Sequence, residues 1–118
     1  MFAFANDATV YLHREPVDFR KQIDGLAILV QQSMELDPMQ AALFVFTNKR
    51  RDRIRALWWD RNGFCLWTKR LEEDRFLWPI QSDREVVTLD GERLGWLLRG
   101  LDVFRMAPHP QRRYGAVS

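Results

Sequence analysis

The stretch "NKRRDRIRALWWDRNGFCLWTKR", residues 48–70, threads eight Lys and Arg residues between three tryptophans. Five of the basic residues, Lys49, Arg50, Arg51, Arg53 and Arg55, fall within seven positions that hold one acid, Asp52. Arg61, Lys69 and Arg70 follow. A guanidinium fork can bind a phosphate or the edge of a guanine through two parallel hydrogen bonds, and an exposed indole such as Trp59 offers a ring on which a base can stack. The excess of Arg over Lys favours nucleic acid, because a face kept soluble by charge has no need of the fork. The same letters also suit the solvated face of a β-hairpin whose other face is core, with Asp52 pairing an arginine at the turn. From the residues alone both readings stand.

Other chemistries have less to work with. Asp18, Asp24, Asp52, Asp60, Asp90 and Asp102 are scattered single letters. Asp18 and Asp24 lie six apart, so on one helix they point about 240° apart and make no metal-binding pair. No catalytic residue, metal or cofactor is expected. Cys65 is the single cysteine, which excludes an internal disulfide, and only His13 and His109 accompany it, too few for a zinc cluster. Cys65 reads as a small apolar strand residue, and His13 as a surface or hydrogen-bonded histidine at a strand end.

The elements that must position the basic stretch can be read from its neighbours. From "LFVF", Leu43 to Phe46, through the tip at "NKRRD" and back through "RIRALWW", the chain reads as one hairpin. "DRNG", residues 60–63, turns the chain again into "FCLWTKR", which gives a three-stranded meander. Alternation places Ile54, Ala56 and Trp58 on one face and Arg53, Arg55, Leu57 and Trp59 on the other, so the arginines join the tip on a protruding basic ribbon. Such a ribbon fits the major groove of B-form DNA. Trp58, Trp67 and Trp78 read as core, and Trp59 either as core or as an exposed stacking platform.

Before the meander, "TVYLH" is a strand ended by Pro16, and Phe19, Ile23, Leu26, Ala27, Val30 and Met34 then recur at spacings of three and four. That stripe predicts a helix over 18–34 with Asp18 as its cap, stopped by "LDP". Gly25 inside it points to close packing against a neighbour. After the meander, "RFLWP" and "EVVTL" offer one or two more strands, with Pro79 at an edge or a strand end. "DGERLGWLLRGL" predicts a final helix capped by Asp90 and ended near Gly100, with Leu89 stapled onto Leu94 and a stripe of Leu94, Leu97, Leu98 and Leu101. The expected fold class is therefore α+β: a single domain over 1–107 with an N-terminal strand and helix, an antiparallel β-meander of three to five strands and a C-terminal helix. A mobile basic tail is expected over 108–118.

At 118 residues the chain is the size of one domain, and a composition 47% hydrophobic and 29% charged excludes a disordered class. Apolar runs such as "LAILV" are far too short to span a bilayer, and the N-terminus lacks the features of a secretory signal, so a cytoplasmic location is expected. The net charge is only +2, so the basic character is local to the hairpin.

Taken in order, "YLHREPVDFRKQIDGLAILV", "FVFTNKRRDRIRALWWDRNGFCLWTKRLEEDRFLWP" and "LGWLLRGLD" resemble the TnpB accessory family, products of the second open reading frame in the IS-sixty-six group of bacterial insertion sequences. The resemblance covers most of the chain, about 10–102, and rests on order, spacing and aromatic positions together. It implies a role in DNA transposition beside a separate, larger transposase that carries the acidic catalytic residues, and it is distinct from the RNA-guided nucleases that share the TnpB name. The family's "NRRRDR" motif falls on Asn48, Lys49, Arg50, Arg51, Asp52 and Arg53, with Lys49 replacing an arginine. In "LEEDRF" this chain has acids at Glu73 and Asp74 where the family often has a basic residue and glycine. The expected partners are accordingly the DNA of the element's ends and the transposase, with a homo-oligomer compatible and no membrane. The rival expectation is a protein-interaction module in which the arginines and Trp59 dock on the transposase, since Arg and Trp are also favoured in protein hot spots.

Overall fold

A computed structural model describes residues 4–104; the expected tail over 108–118 and His109 lie outside them. Five strands and two helices follow one another as β1 (Thr9–His13), α1 (Ile23–Gln32), β2 (Leu43–Thr47), β3 (Arg53–Asp60), β4 (Gly63–Arg70), β5 (Val86–Asp90) and α2 (Gly91–Leu98). They form one sheet in the order β4-β3-β2-β1-β5. The fold is α+β as expected, and the meander β2-β3-β4 is antiparallel throughout. The sheet as a whole is mixed, because β1 and β2 run parallel, with Val10 opposite Leu43 and Leu12 opposite Val45. A crossover is what a strand, a helix and a second strand demand when the two strands pair side by side in one direction. "EVVTL" supplies β5, antiparallel to β1. "RFLWP" supplies no strand: Phe76 and Trp78 are buried from a loop, and the Trp78 indole N–H donates to the carbonyls of His13 and Arg14.

Strand alternation sends side chains to two separate cores. On one face Phe44, Phe46 and Leu57 meet Leu26, Val30 and Met34 of the α1 segment, with Val17. On the other Val10, Leu12, Val45, Ile54 and Ala56 meet Leu94 and Leu97 of α2, together with Phe76 and Trp78. The β3 face that carries Arg53, Arg55, Leu57 and Trp59 is thus covered by α1 along its middle, where an open face, DNA-binding or merely solvated, was expected. A helix on each face explains why β2 is buried at every position.

The helix boundaries follow from local hydrogen bonding. α1 begins at Ile23 after Gln22, five residues beyond the expected Asp18. Asp18 instead accepts the backbone N–H of Arg20 at 2.9 Å, and Lys21 N–H closes on the Asp18 carbonyl. Its short side chain thereby offers the backbone a turn that competes with the helix. Phe19 keeps the helical spacing because it packs on the α1-side core from that turn. The neighbour that Gly25 approaches is Lys21 one turn back, where an added Cβ would stand 3.2 Å from the Lys21 Cβ. α1 ends at Gln32, and Glu35 at φ 57° turns the chain away before Pro38 is reached. α2 matches expectation more closely. Asp90 caps it by accepting Arg93 N–H at 2.8 Å, and Gly100 at φ 89° ends it, with Gly100 N–H on the Leu97 carbonyl and Leu101 N–H on the Trp96 carbonyl. Leu101 then leaves the stripe and is exposed.

Candidate nucleic-acid interface

The β2–β3 turn is built by its own polar residues. The Asn48 side-chain amide donates to the Asp52 carboxylate at 2.7 Å, its carbonyl accepts Arg53 N–H at 3.1 Å, and Arg51 takes φ 59° so that its N–H meets the Asn48 carbonyl. The segment after β4 buttresses it: Leu71 N–H donates to the Asp52 carbonyl and Phe76 N–H to that of Arg51. The tip is therefore braced from behind, where a free-standing protruding ribbon was expected, and its backbone shape is held by these bonds. The Asn48 amide, with Arg50 and Arg53 nearby, holds the Asp52 carboxyl below its ordinary value.

Around this turn the structure divides the expected basic residues into groups. Lys49, Arg50 and Arg53 are exposed and line one groove with Asn48, Val17, Asp18, Phe19 and Arg20. In the sheet register Arg53 stands directly opposite Arg70. Arg70 pairs with Glu72 at 3.1 Å and Arg50 approaches Asp52 at 3.9 Å, whereas Lys49, Arg51 and Arg53 make no ion pair among the described residues. Arg51 is half-buried and faces the opposite side, beside Trp78 and Arg93.

Four expected site residues have other placements. The Arg55 guanidinium lies 4.5 Å over the Phe19 ring and its Nη1 donates to the Lys21 carbonyl at 2.9 Å, while its Nε is buried without a partner among the described residues. Burial, with Arg53 adjacent, draws its pKa below the ordinary arginine value. It clamps the 18–21 turn onto the sheet and is not a free patch residue. Lys69 is on the other face, where its Nζ donates to the Leu98 carbonyl at 2.9 Å, at the negative end of α2. Arg61 and Trp59 lie at the far end of the β3–β4 hairpin; seven steps of about 3.4 Å put Asp60 roughly 24 Å from Arg53. Trp59 packs edge-on against Phe64 at 5.0 Å between centroids. Among the other tryptophans, Trp78 is buried, while Trp58 and Trp67 are half-buried and close over Phe4.

Sequence reading missed Arg20. It stands on the groove rim, its side chain 91% exposed, and is held by the Asp18 carboxylate through Nε at 2.9 and 3.1 Å and Nη2 at 2.6 Å. Those hydrogen bonds, with Lys49 also near, put the Asp18 carboxyl well below the usual carboxylate range. "VDFRK" looked like the opening of a helix, and the folding-back of that turn beside the hairpin is a tertiary fact that periodicity does not carry. Glu72 borders the site through its pair with Arg70, whereas Glu73 and Asp74 line a separate hollow with Lys69, Arg75 and Leu98. His13 is buried, with Nδ1 on the Glu15 carbonyl at 2.7 Å and Nε2 on the Ser33 hydroxyl at 2.9 Å, so it joins β1 to the end of α1. Among the described residues no cluster of three or more His, Cys, Asp or Glu side chains could hold a metal, and no helix is long and apolar enough to cross a membrane.

Comparison with known proteins agrees with the earlier resemblance. The family model described as "IS66 Orf2 like protein" matches residues 8–108. A protein of Sinorhizobium fredii (strain NBRC 101917 / NGR234) described as "Uncharacterized protein y4jC" is 38% identical over 99 residues, 84% of each chain. A second from the same strain, "Uncharacterized protein y4hO", is 32% identical over 114 residues, 97% of this chain and 95% of its own. No solved structure matches. With its whole sheet and both helices inside the matched span, the chain belongs to the IS66 Orf2-like family of insertion-sequence proteins.

Proposed function

We propose that this chain is a non-enzymatic DNA-binding accessory of transposition, whose basic sheet end neutralises phosphates and positions the ends of an insertion sequence for a separate transposase. The observation that carries the reading is the pairing of Arg53 directly opposite Arg70, with Lys49 and Arg50 exposed at the adjoining turn. Like charges placed opposite one another across two strands cost stability. A solubility face avoids that arrangement, whereas a polyanion relieves it by replacing condensed counterions. The turn that carries these residues is already locked by Asn48 and Asp52, so little order is lost on binding. Family membership supports the process; the charge geometry supports the molecular act.

The experiment is a mobility-shift titration of purified protein, without transposase, against labelled duplex from the end of an insertion sequence, with magnesium present. A retarded, uncut duplex is the expected result. A duplex that shifts only when transposase is added would instead make the basic end a protein dock, and metal-dependent nicking abolished by one Asp→Ala change would make the chain an enzyme.

A further inference from the structure

Within that DNA-binding reading, on which this inference rests, the Asp18–Arg20 pair stands out because it is the wrong device for phosphate. A groove meant only for phosphates gains nothing from a carboxylate, yet Asp18 lies in the groove lined by Lys49, Arg50 and Arg53. What Asp18 does there is hold one edge of the Arg20 guanidinium, through Nε and Nη2. A guanidinium has two edges able to donate two parallel hydrogen bonds, and occupation of the Nε–Nη2 edge leaves the Nη1–Nη2 end free. That end belongs to a side chain 91% exposed whose opposite edge is held by the carboxylate. A lone exposed arginine would have to give up side-chain freedom to make a bidentate contact; one already held by a carboxylate has much less to lose. The 18–21 turn is in turn clamped to the sheet by Arg55 on the Lys21 carbonyl and the Phe19 ring, so the fork has a defined position relative to Lys49 and Arg53.

We infer that Arg20 is a specificity-determining residue of this surface, presenting its free fork to O6 and N7 of a guanine in the major groove while Lys49, Arg50 and Arg53 engage the backbone. Contacts to phosphate fix register, and a bidentate arginine reads the base, so the two tasks fall on different residues of one groove.

The test selects duplexes from a pool with a randomised core, using purified full-length protein, and compares wild type with Arg20→Lys and Asp18→Asn. Wild type is expected to enrich a motif containing a guanine whose replacement by another base weakens binding about 5- to 150-fold, the worth of one arginine–guanine pair, and whose replacement by 7-deazaguanine, which removes the N7 acceptor alone, weakens it by part of that. Arg20→Lys keeps the charge and loses the planar fork that Asp18 orients, so its preference for that guanine over the other bases should fall far more than its affinity for unrelated duplex. Asp18→Asn adds net positive charge while loosening Arg20, so it should bind unrelated duplex more tightly and discriminate less. Both changes lie at an exposed turn, and circular dichroism confirms folding. Selection of no motif, or a guanine preference in Arg20→Lys as strong as in wild type, would overturn the inference while leaving phosphate binding intact. Failure of wild type to bind any duplex would overturn the DNA-binding reading itself.

Discussion

Neighbouring arginines of β3 do opposite work. Arg55 is wedged between Phe19 and the Lys21 carbonyl. Losing a charge-assisted hydrogen bond and a ring contact together, Arg55→Ala should destabilise the protein by about 2 kcal/mol. Arg53→Ala, which removes one member of the Arg53–Arg70 juxtaposition, should change stability by less than about 0.5 kcal/mol and can raise it. Urea denaturation of the two variants distinguishes them; equal effects would refute the division. A third residue-scale expectation concerns pH. The folded-state pKa of Asp52 is depressed, chiefly by the Asn48 amide, so its contribution is complete above its unfolded value, about 4, and is lost as pH falls through the lower folded value. Asp52→Asn should therefore flatten the acid limb of the stability curve and leave its slope above about pH 5 unchanged. The sequence distinguishes none of this, since strand alternation puts Arg53 and Arg55 on one face and cannot say that the 18–21 turn before α1 closes over Arg55.

Elements were legible where a signal is local. The 5-residue and 8-residue strands of the meander alternate or carry turn residues at both ends, and α2 announces itself through Asp90 and Gly100. Asp90→Ala should cost about 1 kcal/mol through loss of the Arg93 N–H acceptor. Gly91→Ala should cost more, because a Cβ there would overlap the Ala5 carbonyl, whose segment is tied to α2 by Glu92 N–H on the Asn6 carbonyl. Thermal melts would show Gly91→Ala below Asp90→Ala, and the reverse order would contradict the close approach. Where a competing local structure or a distant partner decides, the pattern misleads. Asp18 looks like a helix cap and makes a separate turn; "RFLWP" has strand letters but its partners are the Arg51, His13 and Arg14 carbonyls. The parallel pairing of β1 with β2 is likewise set by the crossover and not by either strand's own residues.

At the scale of the whole molecule, a sheet covered on both faces leaves its ends and edges as the surfaces open to a large partner. One end gathers Lys49, Arg50, Arg53 and Arg70 with the 18–21 turn, while Arg61 and Trp59 lie at the other, so the basic stretch seen in the sequence is not one patch. The central claim is that the first of these ends binds DNA through phosphate contacts. Its most direct test is the salt dependence of DNA affinity for wild type and for a folded Arg50→Ala, Arg53→Ala double variant. Each phosphate contact removed should lower the slope of log K against log salt by about 0.9, so the double variant should bind every duplex more weakly with a slope flatter by about 2. A double variant with unchanged affinity and unchanged slope would contradict the account and leave these arginines as a solvated face or a protein dock.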